Sequence, residues 1–272
     1  MKTIIKILYL ILIIAGLCQC KKYDPLVAIP DNNFLNALKE LGIDKDGDGI
    51  ISKVEAAEVT FLNVYNRNIS SLKGIEAFVN MDSLDCSYNQ LTSLDVSNNP
   101  LLLMLNCYDN SLTSLSVYNN YILRNLRCRN NLLTSLVVSS NPLLRELVCY
   151  NNLITGLDVS HNPELQSLWC SDNPLSSLDV SNNLALKYLQ CDGNLLSSLD
   201  VSKNTALKSF YCSNNSLISL DASNNSALKI LTLKSMPSLY KVCVWTMPFP
   251  PTGVTVDTTD SPNVYFTTDC SK

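Results

Sequence analysis

The sequence predicts a repeat solenoid, rich in β-strand and opened by a short helical cap, and three observations predict it. Cysteine falls at Cys86, Cys107, Cys128, Cys149, Cys170, Cys191 and Cys212, one every 21 residues. Two rows of asparagine keep the same period, at Asn89, Asn110, Asn131, Asn152, Asn173, Asn194 and Asn215, and at Asn99, Asn120, Asn141, Asn162, Asn183, Asn204 and Asn225. Apolar residues recur around them in a fixed frame, Leu-x-x-Leu-x-Cys-x-x-Asn-x-Leu-x-x-Leu-x-Val-x-x-Asn-x-x, as from Leu102 to Asn120. A coil that turns once per repeat puts equivalent residues in line, which a stray redox or metal motif does not do so evenly.

Composition sets the outer bounds. The 272 residues are 46% hydrophobic and 16% charged, with a net charge of −4, as expected of an ordered protein with a modestly acidic surface. No long cationic tract follows the first 22 residues, and Lys and Arg are scattered along the chain, so no phosphate-tracking stripe and no nucleic-acid partner are expected.

Residues 1–19 read as an export signal: Lys2 and Lys6, an apolar run from Ile7 to Ala15, then Gly16-Leu17-Cys18-Gln19-Cys20. The run is short for a spanning helix. Leu17, three positions before Cys20, resembles the lipobox of bacterial lipoproteins, although Gln19 departs from the usual small residue. Cys20 is therefore the expected lipidation site, with ordinary secretion and a retained anchor as alternatives. Acyl chains would hold the protein to a membrane without spanning it. Residues 20–29 are a tether.

Residues 30–58 form the expected N-terminal cap. Asp31 to Leu41 predicts a helix capped by Asp31, with Phe34, Leu38 and Leu41 on one face. The stretch from Asp44 to Glu55 matches the twelve-residue EF-hand loop. Asp44, Asp46 and Asp48 alternate toward one hard cation, Ile50 offers its carbonyl, Ser52 fills the ninth position, Glu55 closes the site, and Gly49 permits the sharp turn. A structural Ca²⁺ is expected; the bland alternative is a metal-free Asp/Gly turn. A clear exit helix is missing, because Val59 already begins the first turn.

Residues 59–236 make about nine turns. Leu105 and Cys107 share one face of a short strand, and Leu115 and Val117 do the same ten residues later on the opposite side of the coil. The first turn is longer, stepping through Leu62, Ile69, Leu72, Ile75, Phe78 and Met81 to Leu84. The apolar side chains of one turn do not offset the entropy of ordering its backbone, so turns must stack to fold. Asparagine at the bends can satisfy backbone groups that lose their strand partners there. The last turn carries Leu233 for cysteine and Met236 for asparagine. Residues 237–272, punctuated by Pro237, Pro248, Pro250, Pro251 and Pro262, are the expected C-terminal cap, where Cys243 and Cys270 are placed to pair as a disulfide.

Leu-x-x-Leu-x-Cys-x-x-Asn-x-Leu resembles the leucine-rich repeat, and its 21-residue form with Leu-Asp-Val-Ser in the second half is similar to the internalin J type. Leu165-Gln-Ser-Leu-Trp-Cys-Ser-Asp-Asn-Pro-Leu and Ser177-Leu-Asp-Val-Ser-Asn-Asn carry the resemblance, which covers about Val59 to Met236. It implies a parallel sheet on the concave side and a cell-surface binding protein, but no particular ligand.

The chemistry is that of a binder. Thiols on adjacent strands could act as redox centres or metal ligands, but each occupies an inward site that the general repeat fills with an aliphatic residue, so packing is expected. Asp95, Asp158, Asp179, Asp200 and Asp221 form a further row, read as solvated decoration. His161 sits at a corner without a partner set, and no enzyme is expected. Function is left to the outward positions of the concave strands: Met104, Tyr108, Arg127, Arg129, Glu146, Val148, Tyr150, Trp169, Tyr188 and Tyr211, with Gln190 beside them. Aromatic residues and Arg dominate binding hot spots, and aromatic faces also suit sugars. The expectation is an exported monomer, lipid-anchored to a bacterial outer membrane and facing outward, that recognises a protein or glycan. The alternative is a periplasmic scaffold component of a cell-envelope assembly.

Overall fold

The computed structural model describes residues 25–271, so the leader and Cys20 lie outside the described residues. Helix α1 (Asn32–Glu40) starts at Asp31, whose Oδ1 accepts the amides of Asn33 and Phe34. The other oxygen, Oδ2, accepts the amides of Ser70 and Ser71 at 2.8 and 2.9 Å, so one carboxylate caps the helix and pins it to the first turn. Partial desolvation pushes the Asp31 carboxyl up, yet these four amides together hold it below its ordinary value. Phe34, Ala37 and Leu38 are buried, with the Phe34 ring 6.3 Å from that of Phe78. Leu41 departs from the expected face: it closes the helix as its C-terminal cap and is exposed. A short second helix, α2 (Lys53–Ala57), also stands where none was expected. Ser52 and Glu55 close a reciprocal capping box at its start, a Ser-x-x-Glu signal that the metal-loop reading masks.

The strands, three residues each, are β1 (Phe61–Asn63), β2 (Ser83–Asp85), β3 (Ser93–Asp95), β4 (Met104–Asn106), β5 (Ser114–Ser116), β6 (Asn125–Arg127), β7 (Glu146–Val148), β8 (Ser167–Trp169), β9 (Tyr188–Gln190), β10 (Ser209–Tyr211), β11 (Ser219–Asp221), β12 (Ile230–Thr232), β13 (Lys241–Cys243), β14 (Thr255–Asp257) and β15 (Tyr265–Thr267). A ten-stranded parallel sheet runs β1-β2-β4-β6-β7-β8-β9-β10-β12-β14, one strand per turn. The middle residue of each strand faces the core, so Leu84, Leu105, Leu126, Leu147, Leu168 and Leu189 stack in register. The second half of the turn pairs into strands at the two ends, as β3-β5 and β11-β13-β15.

The expected C-terminal cap, 237–272, is more than a cover. Both sheets run on through it: Ile230 pairs with Thr255, Ser219 with Lys241, and Lys241 with Tyr265. Ten turns therefore stand where about nine were expected. The steps lengthen and carry proline, which hides them from a search for a 21-residue period. Trp245, Phe249 and Phe266 pack together over the final turn, and the structure joins Cys243 to Cys270.

Asparagine ties each turn to its neighbours. In the first row, Asn152 is typical: its Nδ2 donates to the carbonyls of Cys149 in its own turn and Cys128 in the turn before, both at 3.1 Å, while its Oδ1 accepts the amide of Leu133 at 3.0 Å. In the second row, Asn162 Nδ2 donates to Val138 and Asn141, and its Oδ1 is buried without a partner, as throughout that row. Where Met236 ends the first row, the buried Ser261 takes over, donating to the Leu233 carbonyl and accepting the Met236 amide. The ladder cysteines are buried free thiols. Burial pushes the Cys128 thiol up to about 12, against a partial lowering by a backbone hydrogen bond.

Asn152→Ala is expected to cost about 1–3 kcal/mol in urea denaturation by stranding buried backbone groups; an unshifted midpoint would contradict the corner role. The ladder thiols should resist a disulfide reagent at pH 8 until denaturant is added. Folding raises the pKa of Cys86, Cys107, Cys128, Cys149 and Cys170 by burial, and that of Cys191 by a hydrogen bond with Cys212 and burial, so the stability tied to these neutral thiols is present below the unfolded value of about 8.5 and is lost as pH rises toward 12. Rapid labelling of the native protein, or stability flat across that window, would count against this account.

Candidate functional site

The outward side of the ten-stranded sheet is the face expected to be concave, and it carries every sheet residue singled out from the sequence. Short strands with a leucine core position leave the flanking residues free of packing demands, which is why their identities vary from turn to turn. Trp169 and Tyr188 are the most open, at 40% and 43% exposure, and Met104, Tyr108, Arg127, Arg129, Glu146, Tyr150 and Tyr211 are partly exposed. Val148 differs from expectation. It points outward but is only 5% exposed, because its register neighbours, Arg127 on one side and Trp169 on the other, are large enough to cover it.

Two patches emerge. At the end of the strands past the cysteines, Arg129 lies 4.1 Å from the centre of the Tyr108 ring and 5.6 Å from that of Tyr150, and it pairs with Asp109 at 3.0 Å. Tyr88 packs edge-on against Tyr108, and Tyr65 against Tyr88, so the strip runs from the first turn to the fifth. Tyr65 and Tyr88 were not singled out from the sequence, because the longer first turn displaces Tyr65 from the 21-residue register and Tyr88 sits on a corner. The corner position has a left-handed backbone in turn after turn, at Tyr88, Asp109, Asn130, Asn151 and Asp172. Gly193 continues it at φ +63°, where a Cβ would come within 2.3 Å of Asp172 Oδ1.

The second patch is a cleft of roughly 480 Å³ at the other end of the strands, bounded by Asn125, Arg145, Glu146, Gln166, Ser167, Trp169 and Tyr188. Ser167 is small and forms its floor between Glu146 and Tyr188, its neighbours in register. Glu146 is held by Arg127, and Arg145 by Glu164 at 3.2 Å.

The rim of this cleft corrects the expectation of scattered charge. Arg124, Arg145, Gln166, Lys187, Lys208 and Lys229 occupy one position in successive turns, each amide donating to the carbonyl of the one before at 2.8–2.9 Å. Cations 21 residues apart look scattered in the sequence and form a column in the fold. The aspartate row, by contrast, is structural: Asp95, Asp158, Asp179, Asp200 and Asp221 each accept the amide of the serine two residues on.

In the cap, carboxylate oxygens of Asp44, Asp46 and Asp48 lie within 4.8 Å of one another. Asp44 Oδ2 accepts the Gly49 amide, whereas its Oδ1 is buried with no partner. Glu55 is turned to other work: Oε1 accepts the Lys45 amide and Oε2 the Ser52 amide and hydroxyl. Burial opposes ionisation of Glu55, but these bonds hold its carboxyl below the ordinary value. Ile50 stands in the loop between Gly49 and the buried Ile51. His161 is exposed, with the Ser160 hydroxyl 3.0 Å from its Nδ1.

The fold has solved counterparts. It is similar to the functional domain of InlJ from Listeria monocytogenes, described as including a cysteine ladder, with 30% identity and a TM-score of 0.53 over 86% of this chain and 61% of that one. The fold is that of a leucine-rich-repeat solenoid. Internalin J of L. monocytogenes serotype 4b (strain F2365) is 37% identical over 70 residues, which are 26% of this chain and 8% of that protein, so only a small part of it is matched. At the level of fold alone, internalin C2 of the same strain gives a TM-score of 0.61 at 16% identity, covering 90% of this chain and 98% of that one. A leucine-rich-repeat protein of Leptospira interrogans gives 0.52 at 19% identity, covering 75% and 64%. No protein-family model matches the chain. No helix of the described residues is long and apolar enough to cross a membrane.

Proposed function

We propose that the solenoid is a non-catalytic binding protein, exported and lipid-anchored through Cys20 to a bacterial outer membrane, which recognises a protein or glycan with the outward face of its ten-stranded sheet. The observation that carries this reading is that one sheet, its strands hydrogen-bonded from turn to turn, presents exposed Trp169 and Tyr188 and, at the other end of its strands, the partly exposed Tyr108 and Tyr150 around Arg129. Such anchors bind without the cost of ordering a loop. A photo-crosslinking residue at Trp169, compared with one at Ser177 on the second-half side of the turn, tests it in intact cells of the source bacterium. A discrete adduct from position 169 alone is expected, and it should disappear after protease shaving of the cells. No adduct, or equal adducts from both positions, would refute the sheet face. An adduct that survives shaving would favour the second reading, a periplasmic scaffold component of an envelope assembly.

The cap loop is proposed to hold a structural calcium ion. Asp44, Asp46 and Asp48 fit a hard cation, the unpartnered Asp44 Oδ1 supplies a buried oxygen, and the Ile50 carbonyl, Ser52 and Glu55 complete the set once Glu55 gives up its bond to Lys45. The ion would relieve carboxylate repulsion and fix the link between α1 and α2. Residues 25–27 pair with Ile51–Lys53 across this loop, so the ion would also secure the start of the domain. Calcium at ten to a hundred times its Kd should stabilise by about 1.4–2.7 kcal/mol, a rise of several degrees in Tm over chelator. Asp48→Asn, which keeps the oxygen that accepts the Ile50 amide, should abolish the rise; an equal Tm with and without calcium in the wild-type chain sinks the assignment.

A further inference from the structure

The cation column and the aromatic cleft share one rim, and nothing in the fold requires either. Arg124, Arg145, Lys187, Lys208 and Lys229 follow one another from turn to turn, interrupted by Gln166 alone, and the backbone ladder fixes their spacing at about 4.8 Å per turn. The column thus runs about 24 Å from Arg124 to Lys229. Arg124, Arg145, Lys208 and Lys229 are exposed, and among the described residues only Arg145 of the column has a carboxylate within 4.0 Å. Lys187 instead donates to Gln166 Oε1 at 3.1 Å. In a chain of net charge −4, like charges stacked this closely repel one another, so the column costs stability when bare and gains when an anion lies along it.

We infer that this rim binds a linear acidic polysaccharide, with carboxylate or sulfate groups on the column and a sugar ring seated in the cleft against Trp169 and Tyr188. The inference rests on the sheet-face reading and names the ligand class for it. Three features select a sugar polymer over a peptide or nucleic acid. The cations lie in single file, matching one strand of regularly spaced charge. The cleft at their middle offers two aromatic faces with the amides of Asn125 and Gln166 for hydroxyl groups. Glu146 in the cleft wall, its charge offset by Arg127, offers a carboxylate oxygen to a sugar hydroxyl. Arg124 and Arg145 can hold carboxylate or sulfate through paired N–H groups, while the lysines act as point charges.

The test is equilibrium binding of the described domain, as part of the full mature chain, to hyaluronan, dextran sulfate, neutral dextran and single-stranded DNA at low and physiological salt. One or both acidic polysaccharides should bind, more weakly as salt rises, and neutral dextran should not. Which of the two binds distinguishes carboxylate from sulfate recognition. The triple variant Lys187→Gln/Lys208→Gln/Lys229→Gln should weaken binding at least tenfold, Trp169→Ala should do the same, and Lys203→Gln, away from the rim, should leave it unchanged. The inference is overturned if neither acidic polymer binds, if the triple variant binds as the wild type does, or if Trp169→Ala has no effect, which would reduce the column to an ion exchanger. DNA bound as tightly as either polysaccharide would also overturn it. A clean adduct from position 169 in cells without polysaccharide binding would remove this inference and leave the sheet-face reading standing.

Discussion

The structure depends on one interaction, the asparagine carboxamide that bridges two turns at each corner. Asn152 shows what it does: one NH₂ group serves carbonyls of its own turn and of the turn before, and its oxygen serves an amide of that earlier turn. A bend that narrow would otherwise leave buried backbone groups without partners, at a cost larger than a leucine side chain recovers. Because the bridge spans turns, it also sets their register. Leucine over leucine, cysteine over cysteine and cation over cation all follow from that single repeat of hydrogen bonds.

The two asparagine rows are unequal. The first uses both ends of the carboxamide, whereas the second uses only its nitrogen and leaves Oδ1 buried and unpaired at Asn99, Asn120, Asn141, Asn162, Asn183, Asn204 and Asn225. The corner that follows each strand of the ten-stranded sheet is therefore tied by at least one more hydrogen bond than the corner that leads into it.

The period, the core positions, the capped first helix and the backbone-satisfying role of the corner asparagines were legible in the sequence, because each is a demand of packing or hydrogen bonding that few residue types satisfy. Features that need neighbours from other turns were not. Val148 alternates correctly with the core yet is covered, since its exposure is decided by Arg127 and Trp169 in the adjacent strands. The cation column is invisible along the chain for the same reason. Past Met236 the turns persist although their spacing does not, because Ser261 replaces an asparagine by a shorter group at a different interval. Ser52 and Glu55 illustrate a third limit. One pair of residues satisfies both a helix start and a metal loop, and the pattern alone does not say which role shapes the backbone.

Register by asparagine also makes length a free variable. Since each turn is joined to the next by the same few bonds, a turn could be duplicated or lost from the middle of the array without disturbing α1, Asp31 or the closing aromatic cluster. Every such event would lengthen or shorten the rim by one rung and change nothing else about it. Reach along an extended ligand would then be inherited as a count of repeats, adjustable by recombination between nearly identical segments and separate from the slower drift of individual side chains.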